Sequence, residues 1–303
     1  MLNTPRSHRV GLIGAGIQGS LSPELHESEA AALGLKYRYE LLDLDEGDRG
    51  PSDTGVVIDQ AVAQGFNGFN VTFPCKQIVI DVVDDLSMDA RELGAVNTIT
   101  VHGGRLVGHN TDHSGFISAL NRQIPKAKLS HVGVVGAGGA GSAAAYALAK
   151  AGASALTLFD VQENQALALA DRIGDTFANV RVSVAAAEDL PAMLSSFTGI
   201  TNATPVGMSG FPGLPFDTSP LRSHHWVADV IYRPVETLLI QLARRAGCAV
   251  MDGGSMLVAQ VAHSLRLLTG ADPSMERIRS TFEGIQKAST VESAQMNSGS
   301  GAP

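Results

Sequence analysis

A glycine-rich turn near the middle of the chain limits the possible folds more than any other feature. The run Gly136-Ala137-Gly138-Gly139-Ala140-Gly141 follows a short apolar stretch, Val132–Val135, and precedes an alanine-rich segment that ends near Ala151. A glycine turn between a buried strand and a helix is typical of dinucleotide-binding units, because the free N–H groups at the helix N-terminus can hold a pyrophosphate. The sequence therefore predicts an α/β nucleotide-binding unit here.

Four glycines of this run are expected to form the cofactor site. Gly136 would allow the tight turn, and Gly138 would let the backbone approach the pyrophosphate. Gly141 would let the helix pack closely on the strand, and Gly139 is expected at the same phosphate site. Glycine-rich turns are common, so the prediction of a Rossmann-type domain depends on the strand before this turn and the helix after it.

An acidic residue follows at the distance expected for such a domain. Asp160 lies 22 positions after Gly138, at the end of the next apolar stretch. A carboxylate there can accept hydrogen bonds from both adenosine ribose hydroxyls and would repel a 2′-phosphate. Because residues 161–164 provide no cation for that phosphate, the sequence predicts NAD rather than NADP. The alternative is that Asp160 only caps the next helix.

The rest of the chain alternates between β-prone and helical stretches. The 303 residues suffice for two modest domains, and the alternation predicts an α/β protein with a mostly parallel sheet in its N-terminal half. A hairpin is expected around Gly103-Gly104, and Pro74 is expected to open a helix. The segment 287–303 is rich in Ser, Gly and Ala, which predicts a flexible tail.

Composition argues against several classes of partner. A formal charge of -8 without a basic stripe argues against nucleic acid. No apolar run approaches the roughly 20 residues of a membrane helix, and residues 1–8 lack the apolar stretch of a signal peptide. Cys75 and Cys248 lie far apart, which suits a reducing cytoplasm without disulfides. We therefore expect a cytoplasmic protein without a metal site, of unassigned oligomeric state.

Seven further motifs are highly specific in combination. They are Ser20-Leu21-Ser22-Pro23, Asn70-Val71-Thr72-Phe73-Pro74-Cys75-Lys76, Ala95-Val96-Asn97-Thr98, Gly108-His109-Asn110-Thr111-Asp112, Asn202-Ala203-Thr204-Pro205-Val206-Gly207-Met208, Asp229-Val230-Ile231-Tyr232-Arg233-Pro234 and Gly253-Gly254-Ser255-Met256-Leu257-Val258-Ala259-Gln260. Their order resembles that of the shikimate/quinate dehydrogenase family, over about Val10 to Gln286. The resemblance implies hydride transfer between a nicotinamide and a ring hydroxyl of a cyclohexene or cyclohexane carboxylic acid.

The resemblance also assigns roles to individual residues. It implies that Lys76 and Asp112 are the catalytic pair, and a lysine beside a carboxylate can hold a hydroxyl and take or relay its proton. Outside this family context, Lys76 could equally be a solvated residue and Asp112 a helix N-cap. Six polar residues are implied to bind the substrate: Ser20, Ser22, Thr72, Asn97, Tyr232 and Gln260. The two serines would hold its carboxylate.

Three more residues are expected near the cofactor. Thr204 would end a strand near the nicotinamide, and Met208 would pack against its ring, with a packing role alone as the alternative. Gly253 is expected at the cofactor site as well. The histidines that flank Asp112, His109 and His113, are interpreted as structural or solvent-facing rather than as a proton relay.

The family architecture implies a division of the chain into domains. Residues 1–112 would form the substrate-binding domain, completed by C-terminal helices at 254–286, with the NAD-binding domain at 113–253 between them. The stretch Phe159-Asp160-Val161 departs from the Asn-Arg-Thr-like stretch of the biosynthetic NADP enzymes and resembles the NAD-preferring branch.

We therefore expect reversible NAD-dependent oxidation of shikimate to the 3-dehydro acid, with quinate as a second candidate substrate. Two alternatives remain open. One is a dehydrogenase for a related acid such as aminoshikimate. The other is a non-catalytic, NAD-sensing regulator of the same fold, against which the retention of both Lys76 and Asp112 argues.

Overall fold

The chain folds around two six-stranded sheets that follow one another in sequence. The computed structural model describes residues 7–47 and 49–299, with side chains through residue 288. The outer ends of two expected segments, the first domain from residue 1 and the tail to residue 303, therefore lie outside the described residues. Helices cover both sheets, as the alternation of β-prone and helical stretches predicts.

The first sheet, which we call the N-terminal sheet, is mixed but contains more parallel than antiparallel pairs. Its strands are β1 (His8–Gly14), β2 (Tyr37–Asp43), β3 (Gly68–Val71), β4 (Asp85–Leu86), β5 (Thr98–His102) and β6 (Arg105–His109). Its helices are α1 (Ser22–Ala32), α2 (Thr54–Ala63) and α3 (Met88–Leu93). The strand order is β2-β1-β3-β5-β6-β4, and the expected hairpin is the antiparallel pair of β5 with β6.

The second sheet, the C-terminal sheet, is entirely parallel. Its strands are β7 (Val132–Val135), β8 (Ala155–Phe159), β9 (Arg181–Val184), β10 (Gly199–Asn202), β11 (Trp226–Asp229) and β12 (Ala249–Met251). The helices along it are α4 (Asp112–Gln123), α5 (Gly139–Lys150), α6 (Glu163–Thr176), α7 (Leu190–Met193) and α8 (Leu238–Arg245). The order β9-β8-β7-β10-β11-β12 is the doubly wound order of dinucleotide-binding domains, so the expected fold class is confirmed.

The last two helices bring the chain back to its N-terminal half. They are α9 (Gly253–Thr269) and α10 (Met275–Gly299). Buried side chains of α9, among them Leu257 and Val261, form one cluster with Leu25 of α1 and Ile278 of α10. The side chain of Asp252 caps α9 by accepting a hydrogen bond from the Ser255 N–H, 2.8 Å away. This return places residues of α9 beside the N-terminal sheet.

One expectation about local structure differs from the fold. Pro74 does not open an α-helix: the chain makes turns there and then a short 3-10 segment, Ile78–Asp81. This segment is rich in β-branched residues, which have low helix propensity. The flexibility expected for residues 287–303 stays a prediction, and α10 continues through residue 299. Its Ala, Glu, Gln and Met residues are good helix formers, and no proline interrupts them.

Candidate active site

A cavity of about 490 Å³ is lined by residues that follow strands of both sheets and by residues of α9. All eight residues implied to bind or convert the acid line this cavity: Ser20, Ser22, Thr72, Lys76, Asn97, Asp112, Tyr232 and Gln260. These positions are spread over most of the chain length. The fold thus brings together residues that only the family resemblance had connected.

The centre of this group is an ion pair. The Lys76 Nζ lies 2.6 Å from the Asp112 Oδ2. The side chain of Asp112 is 6% exposed and that of Lys76 is 23% exposed, so the pair is largely shielded from bulk water. Asp112 is the first residue of α4, where the positive end of the helix dipole favours a carboxylate.

The other carboxylate oxygen of Asp112 is also fixed by hydrogen bonds. Its Oδ1 accepts one from Asn97 Nδ2 and one from Gln260 Nε2, each at 2.8 Å. Asn97 precedes β5 and Gln260 lies on α9, so separate parts of the chain hold the same carboxylate. Lys76 keeps further ammonium N–H donors at the cavity wall. The pair is therefore preorganised for contact with a polar ligand.

The turn before α4 is fixed by hydrogen bonds of Asn110 and Thr111, to which the sequence assigned no role. Asn97 Oδ1 accepts hydrogen bonds from the Thr111 N–H at 2.7 Å and from the Thr111 hydroxyl at 3.1 Å. Asn110 Oδ1 accepts one from the Asp112 N–H at 3.0 Å. Asn110 and Thr111 both belong to the motif that ends in Asp112. The motif therefore contained these two residues, but only the contacts show which of their atoms form hydrogen bonds.

The segment that carries Ser20 and Ser22 is anchored by a carboxylate that the sequence also left unassigned. Asp43, the last residue of β2, accepts hydrogen bonds from the N–H groups of Gly16 and Ile17, both at 3.0 Å. Burial raises the pKa of Asp43, but these and other donors outweigh that effect and leave the pKa lowered. The Ser22 N–H donates to the Ser20 Oγ at 3.2 Å.

A second polar group lines the cavity near α1 and α9. Asn70 Oδ1 accepts a hydrogen bond from the Tyr39 hydroxyl at 2.9 Å, and Asn70 Nδ2 donates to the Ser264 Oγ at 2.7 Å. His26 lines the same cavity, and burial lowers its pKa to about 3, so it is neutral at pH 7. Asn70 begins a quoted motif, whereas Ser264 carried no sequence signal.

The two histidines beside Asp112 face other partners. His113 Nε2 lies 3.3 Å from the Asp89 Oδ2, and burial lowers the pKa of His113 despite that carboxylate. His109 Nε2 lies 3.2 Å from the Thr100 Oγ1. Within the described residues, neither histidine lines the cavity, in agreement with the structural interpretation.

The glycine turn has the geometry that its sequence predicts. Gly136 has φ = +97°, and a Cβ there would lie 2.9 Å from the carbonyl carbon of Ala203. A Cβ at Gly141 would lie 1.8 Å from the Gly136 oxygen, so only glycine permits this close packing. Open space surrounds the Cβ positions of Gly138 and Gly139. This open cradle at the N-terminus of α5 fits a phosphate group.

The carboxylate of Asp160 lies next to this cradle. Its Oδ2 accepts a hydrogen bond from the Ala137 N–H at 2.6 Å, and its Oδ1 accepts one from the Gln162 N–H at 2.8 Å. Gln162 is the residue before α6, and its own side chain makes no capping hydrogen bond to that helix. Asp160 is therefore attached to the glycine turn, where the adenosine ribose of a dinucleotide would lie.

Thr204 is held at the end of β10 by a buried polar network. Asn202 Oδ1 accepts hydrogen bonds from the Thr204 N–H at 3.0 Å and from its hydroxyl at 2.7 Å. Asn202 Nδ2 donates to the Asp229 Oδ1 at 3.1 Å. Burial raises the pKa of Asp229, against hydrogen bonds that lower it. This network connects the loops after β10 and β11.

Met208 and Gly253 occupy different surroundings. The side chain of Met208 is 37% exposed and does not line the cavity within the described residues. Gly253 lines the cavity at the start of α9. A Cβ there would lie 2.3 Å from the oxygen of Ile231, so a glycine is needed for the helix to approach the loop after β11.

Several other expectations can be compared with the described residues. No three or more of their His, Cys, Asp and Glu side chains are grouped as a metal ion would require. None of their helices is long and apolar enough to cross a membrane. Cys75 and Cys248 are buried and unbridged, and burial raises the pKa of each thiol. Both are therefore packed thiols rather than activated ones.

Comparison with known proteins now assigns the family. Residues 12–99 match the model of the shikimate dehydrogenase substrate binding domain. A shikimate dehydrogenase (NADP(+)) of Pseudarthrobacter chlorophenolicus is 46% identical over 291 residues, which are 96% of this chain and 99% of that one. The chain belongs to the shikimate/quinate dehydrogenase family. It is therefore an oxidoreductase, and its family uses pyridine nucleotides.

Relatives in this family differ in cofactor. A quinate/shikimate dehydrogenase (NAD(+)) of Corynebacterium glutamicum is 41% identical to the chain over 274 residues, covering 90% of this chain and 97% of that one. The structure of a quinate dehydrogenase from Corynebacterium glutamicum in complex with NAD matches with a TM-score of 0.89 and 40% identity, covering 92% and 99% of the two chains. Similarity alone thus leaves both nucleotides open for this family member.

Proposed function

We propose that this protein catalyses the reversible NAD-dependent oxidation of shikimate to its 3-dehydro acid. One observation carries the proposal: Lys76 and Asp112 form a 2.6 Å ion pair at the wall of a polar cavity. Residues 1–112 with 254–286 form the acid-binding domain in this proposal, and residues 113–253 bind the dinucleotide. A regulator without catalysis would have no chemical need for the pair.

The acid is oriented by the hydroxyl and amide groups around the pair. Ser20 and Ser22 hold the carboxylate in this proposal, because both residues line the cavity on a segment fixed by Asp43. Asn97 and Gln260 reach the ring hydroxyls from positions next to Asp112. Thr72 and Tyr232 complete the wall and contact the ring hydroxyls and the open side of the ring.

The reaction requires removal of a proton from the hydroxyl that is oxidised. Lys76 Nζ binds that hydroxyl oxygen, accepts its proton and passes it on to water at its exposed side. Asp112 keeps Lys76 oriented and accepts a hydrogen bond from the adjacent hydroxyl. The nicotinamide, when bound, supplies the hydride acceptor. In this proposal Gly136, Gly138, Gly139 and Gly141 shape the phosphate cradle, and Thr204, Met208 and Gly253 contribute to binding of the nicotinamide.

The choice of NAD rests on Asp160. Its carboxylate is fixed beside the glycine turn by the Ala137 N–H, where it can accept hydrogen bonds from ribose hydroxyls and repels a 2′-phosphate. Residues 161–164 carry no positive charge that could hold such a phosphate. This local chemistry favours NAD over the NADP named for the relative from Pseudarthrobacter chlorophenolicus.

Quinate is a second substrate in this proposal, used no better than shikimate. Quinate carries an additional hydroxyl on the carbon that bears the carboxylate, and this hydroxyl needs a partner beside Ser20 and Ser22. Leaving it unpaired costs about 1–3 kcal/mol, which corresponds to roughly 10- to 100-fold discrimination. Aminoshikimate, which carries an amino group in place of one ring hydroxyl, is the comparison that tests hydroxyl recognition.

The decisive experiment is a matrix of steady-state assays. The rate of nucleotide reduction is measured for NAD and NADP, each with shikimate, quinate, aminoshikimate and no acid. We expect the largest kcat/KM for shikimate with NAD. Equal use of both nucleotides would show that Asp160 does not determine the choice of cofactor. A preference for aminoshikimate would show that shikimate is not the main substrate. No reduction with any acid would favour a non-catalytic regulator.

A further inference from the structure

A cation from the loop after β11 reaches across to the segment that carries the proposed carboxylate-binding serines. Arg233 follows Tyr232, which lines the cavity, and its Nη1 donates a hydrogen bond to the Gly19 carbonyl oxygen at 2.8 Å. Gly19 and Ser20 both line the cavity. The guanidinium of Arg233 is therefore next to the end of the cavity at which the acid group is proposed to bind.

This guanidinium is not neutralised by a nearby carboxylate. Among the described residues, no Asp or Glu oxygen lies within 4.0 Å of Arg233, whereas most of the other described arginines have such a partner. The bond to Gly19 is the one hydrogen bond that its side chain makes to a described residue. An arginine has five N–H donors, so several remain for a ligand.

The cavity has little other positive charge to offer an anion. Lys76 is the one lysine or arginine among the described lining residues, and Asp112 neutralises it. His26 is neutral at pH 7 because burial lowers its pKa to about 3. The whole chain carries a formal charge of -8, so an anionic acid approaches a protein of like charge.

We propose that Arg233 is a specificity residue that selects anionic acids by attracting the substrate carboxylate to the Ser20–Ser22 end of the cavity. This inference rests on the function proposed above and adds to it the group that supplies the positive charge. The backbone of Arg233 is held separately, since its carbonyl oxygen accepts a hydrogen bond from the Ser209 N–H at 3.1 Å. A change of the side chain therefore leaves that contact in place.

The expected effect is moderate because Arg233 is half-buried rather than enclosed. A partly exposed charge a few ångströms from a carboxylate contributes about a tenfold change in affinity, or ~1.4 kcal/mol. The charge acts on binding of the acid and does not touch the hydroxyl that is oxidised. The KM for shikimate should rise on its loss, while kcat stays nearly constant.

The test compares shikimate with its uncharged methyl ester. Arg233→Met removes the charge, Arg233→Lys keeps it, and Arg245→Met is a matched control that removes one charge from an exposed position at the end of α8. The Kd of each ligand is measured by calorimetry and the KM by NAD reduction. We expect Arg233→Met to weaken shikimate about tenfold and to leave the ester unchanged. Arg233→Lys should retain most of the affinity, and Arg245→Met should have no effect.

Salt provides a second readout. The Kd of the wild-type protein for shikimate should rise with sodium chloride concentration, and that of Arg233→Met should rise less, because screening acts on the charge that has been removed. Equal loss for acid and ester would mean that Arg233 only supports the loop and would overturn the inference. Unchanged shikimate binding in Arg233→Met would overturn it as well. Shikimate binding without NAD reduction would contradict the proposed function alone.

Discussion

The two strand edges that border the cavity are organised in different ways. At the N-terminal sheet, side chains hold side chains: Asn97 and Gln260 donate to one oxygen of Asp112, and Lys76 donates to the other. At the C-terminal sheet, the phosphate cradle is formed by backbone groups, with open space around the Cβ position of Gly138. One edge presents prearranged charges, and the other presents free N–H groups.

This difference predicts which substitutions each strand edge can tolerate. A side-chain network can lose one member and keep its backbone, so substitutions at the N-terminal sheet should change catalysis more than folding. A backbone cradle depends on the absence of Cβ atoms, so substitutions at Gly136 or Gly141 should change folding first. Asp160 is the exception at the second edge, because it is a side chain that faces the cradle.

The largest effect is expected where the backbone packs most closely. In Gly141→Ala the new Cβ would lie 1.8 Å from the Gly136 oxygen, so β7 and α5 must separate. We expect a loss of more than about 3 kcal/mol in the free energy of unfolding, measured by denaturant titration. The control is Gly174→Ala on α6, where nothing lies within 4 Å. Unchanged stability of Gly141→Ala would show that the helix can shift freely.

The next effect is expected at the Lys76–Asp112 ion pair and should leave folding intact. Lys76→Met removes the ammonium that lies 2.6 Å from Asp112. We expect kcat to fall roughly 10²- to 10⁴-fold, the usual scale for a positioned proton-transfer group. The Kd for NAD, followed by fluorescence, should stay unchanged. A nearly normal kcat in this variant would show that Lys76 takes no part in the proton transfer. It would also contradict the proposed difference between the two strand edges.

A smaller effect is expected at the side chain that faces the cradle. Asp160→Ala removes the carboxylate that accepts from the Ala137 N–H, so ribose hydroxyls lose an acceptor and a 2′-phosphate is no longer repelled. The ratio of kcat/KM for NAD to that for NADP should fall by about 10- to 100-fold. Asp189→Ala, at another acidic position of the same half of the chain, serves as the control for net charge. An unchanged ratio would place cofactor choice elsewhere.

The smallest effect concerns pH and the anchor of the serine segment. The pKa of Asp43 is lowered in the fold from 3.8, so its contribution to stability is complete above that value and is lost as the pH falls through the lower, folded-state pKa. Asp43→Asn should lower the free energy of unfolding by about 1–2 kcal/mol at pH 7, and this difference should shrink as the pH falls below 3.8. Asp59→Asn, at an exposed position on α2, is the matched control for the loss of one carboxylate.

The sequence predicted local features of the chain better than its long-range polar contacts. The strand Val132–Val135 and the glycine roles follow from local pattern, because apolar runs and positive φ are encoded within a few residues. The role of Asp43 depends on β2 lying parallel to β1, and that of Ser264 depends on α9 returning to Asn70. Such long-range pairings are set by tertiary packing, which no local pattern reports.

The resemblance to known dehydrogenases brought together residues that the spacing alone could not. Lys76, Asp112 and Gln260 are separated by 36 and 148 positions along the chain, yet their polar atoms meet within 3 Å. The family resemblance implied their roles, and the hydrogen bonds of Asn110 and Thr111 became visible only in the fold. Local backbone features were thus predictable, and the partners of each polar atom were not.

The most direct test uses shikimate that carries deuterium on the ring carbon of the hydroxyl to be oxidised. The protein is incubated with this acid and NAD, and the reduced nucleotide and the acid product are analysed by mass spectrometry and NMR. We predict that the product is the 3-dehydro acid and that the deuterium is recovered at C4 of the nicotinamide, with Lys76→Met giving the same products far more slowly. Formation of the product without transfer of deuterium, or no product at all, would contradict direct oxidation at this site.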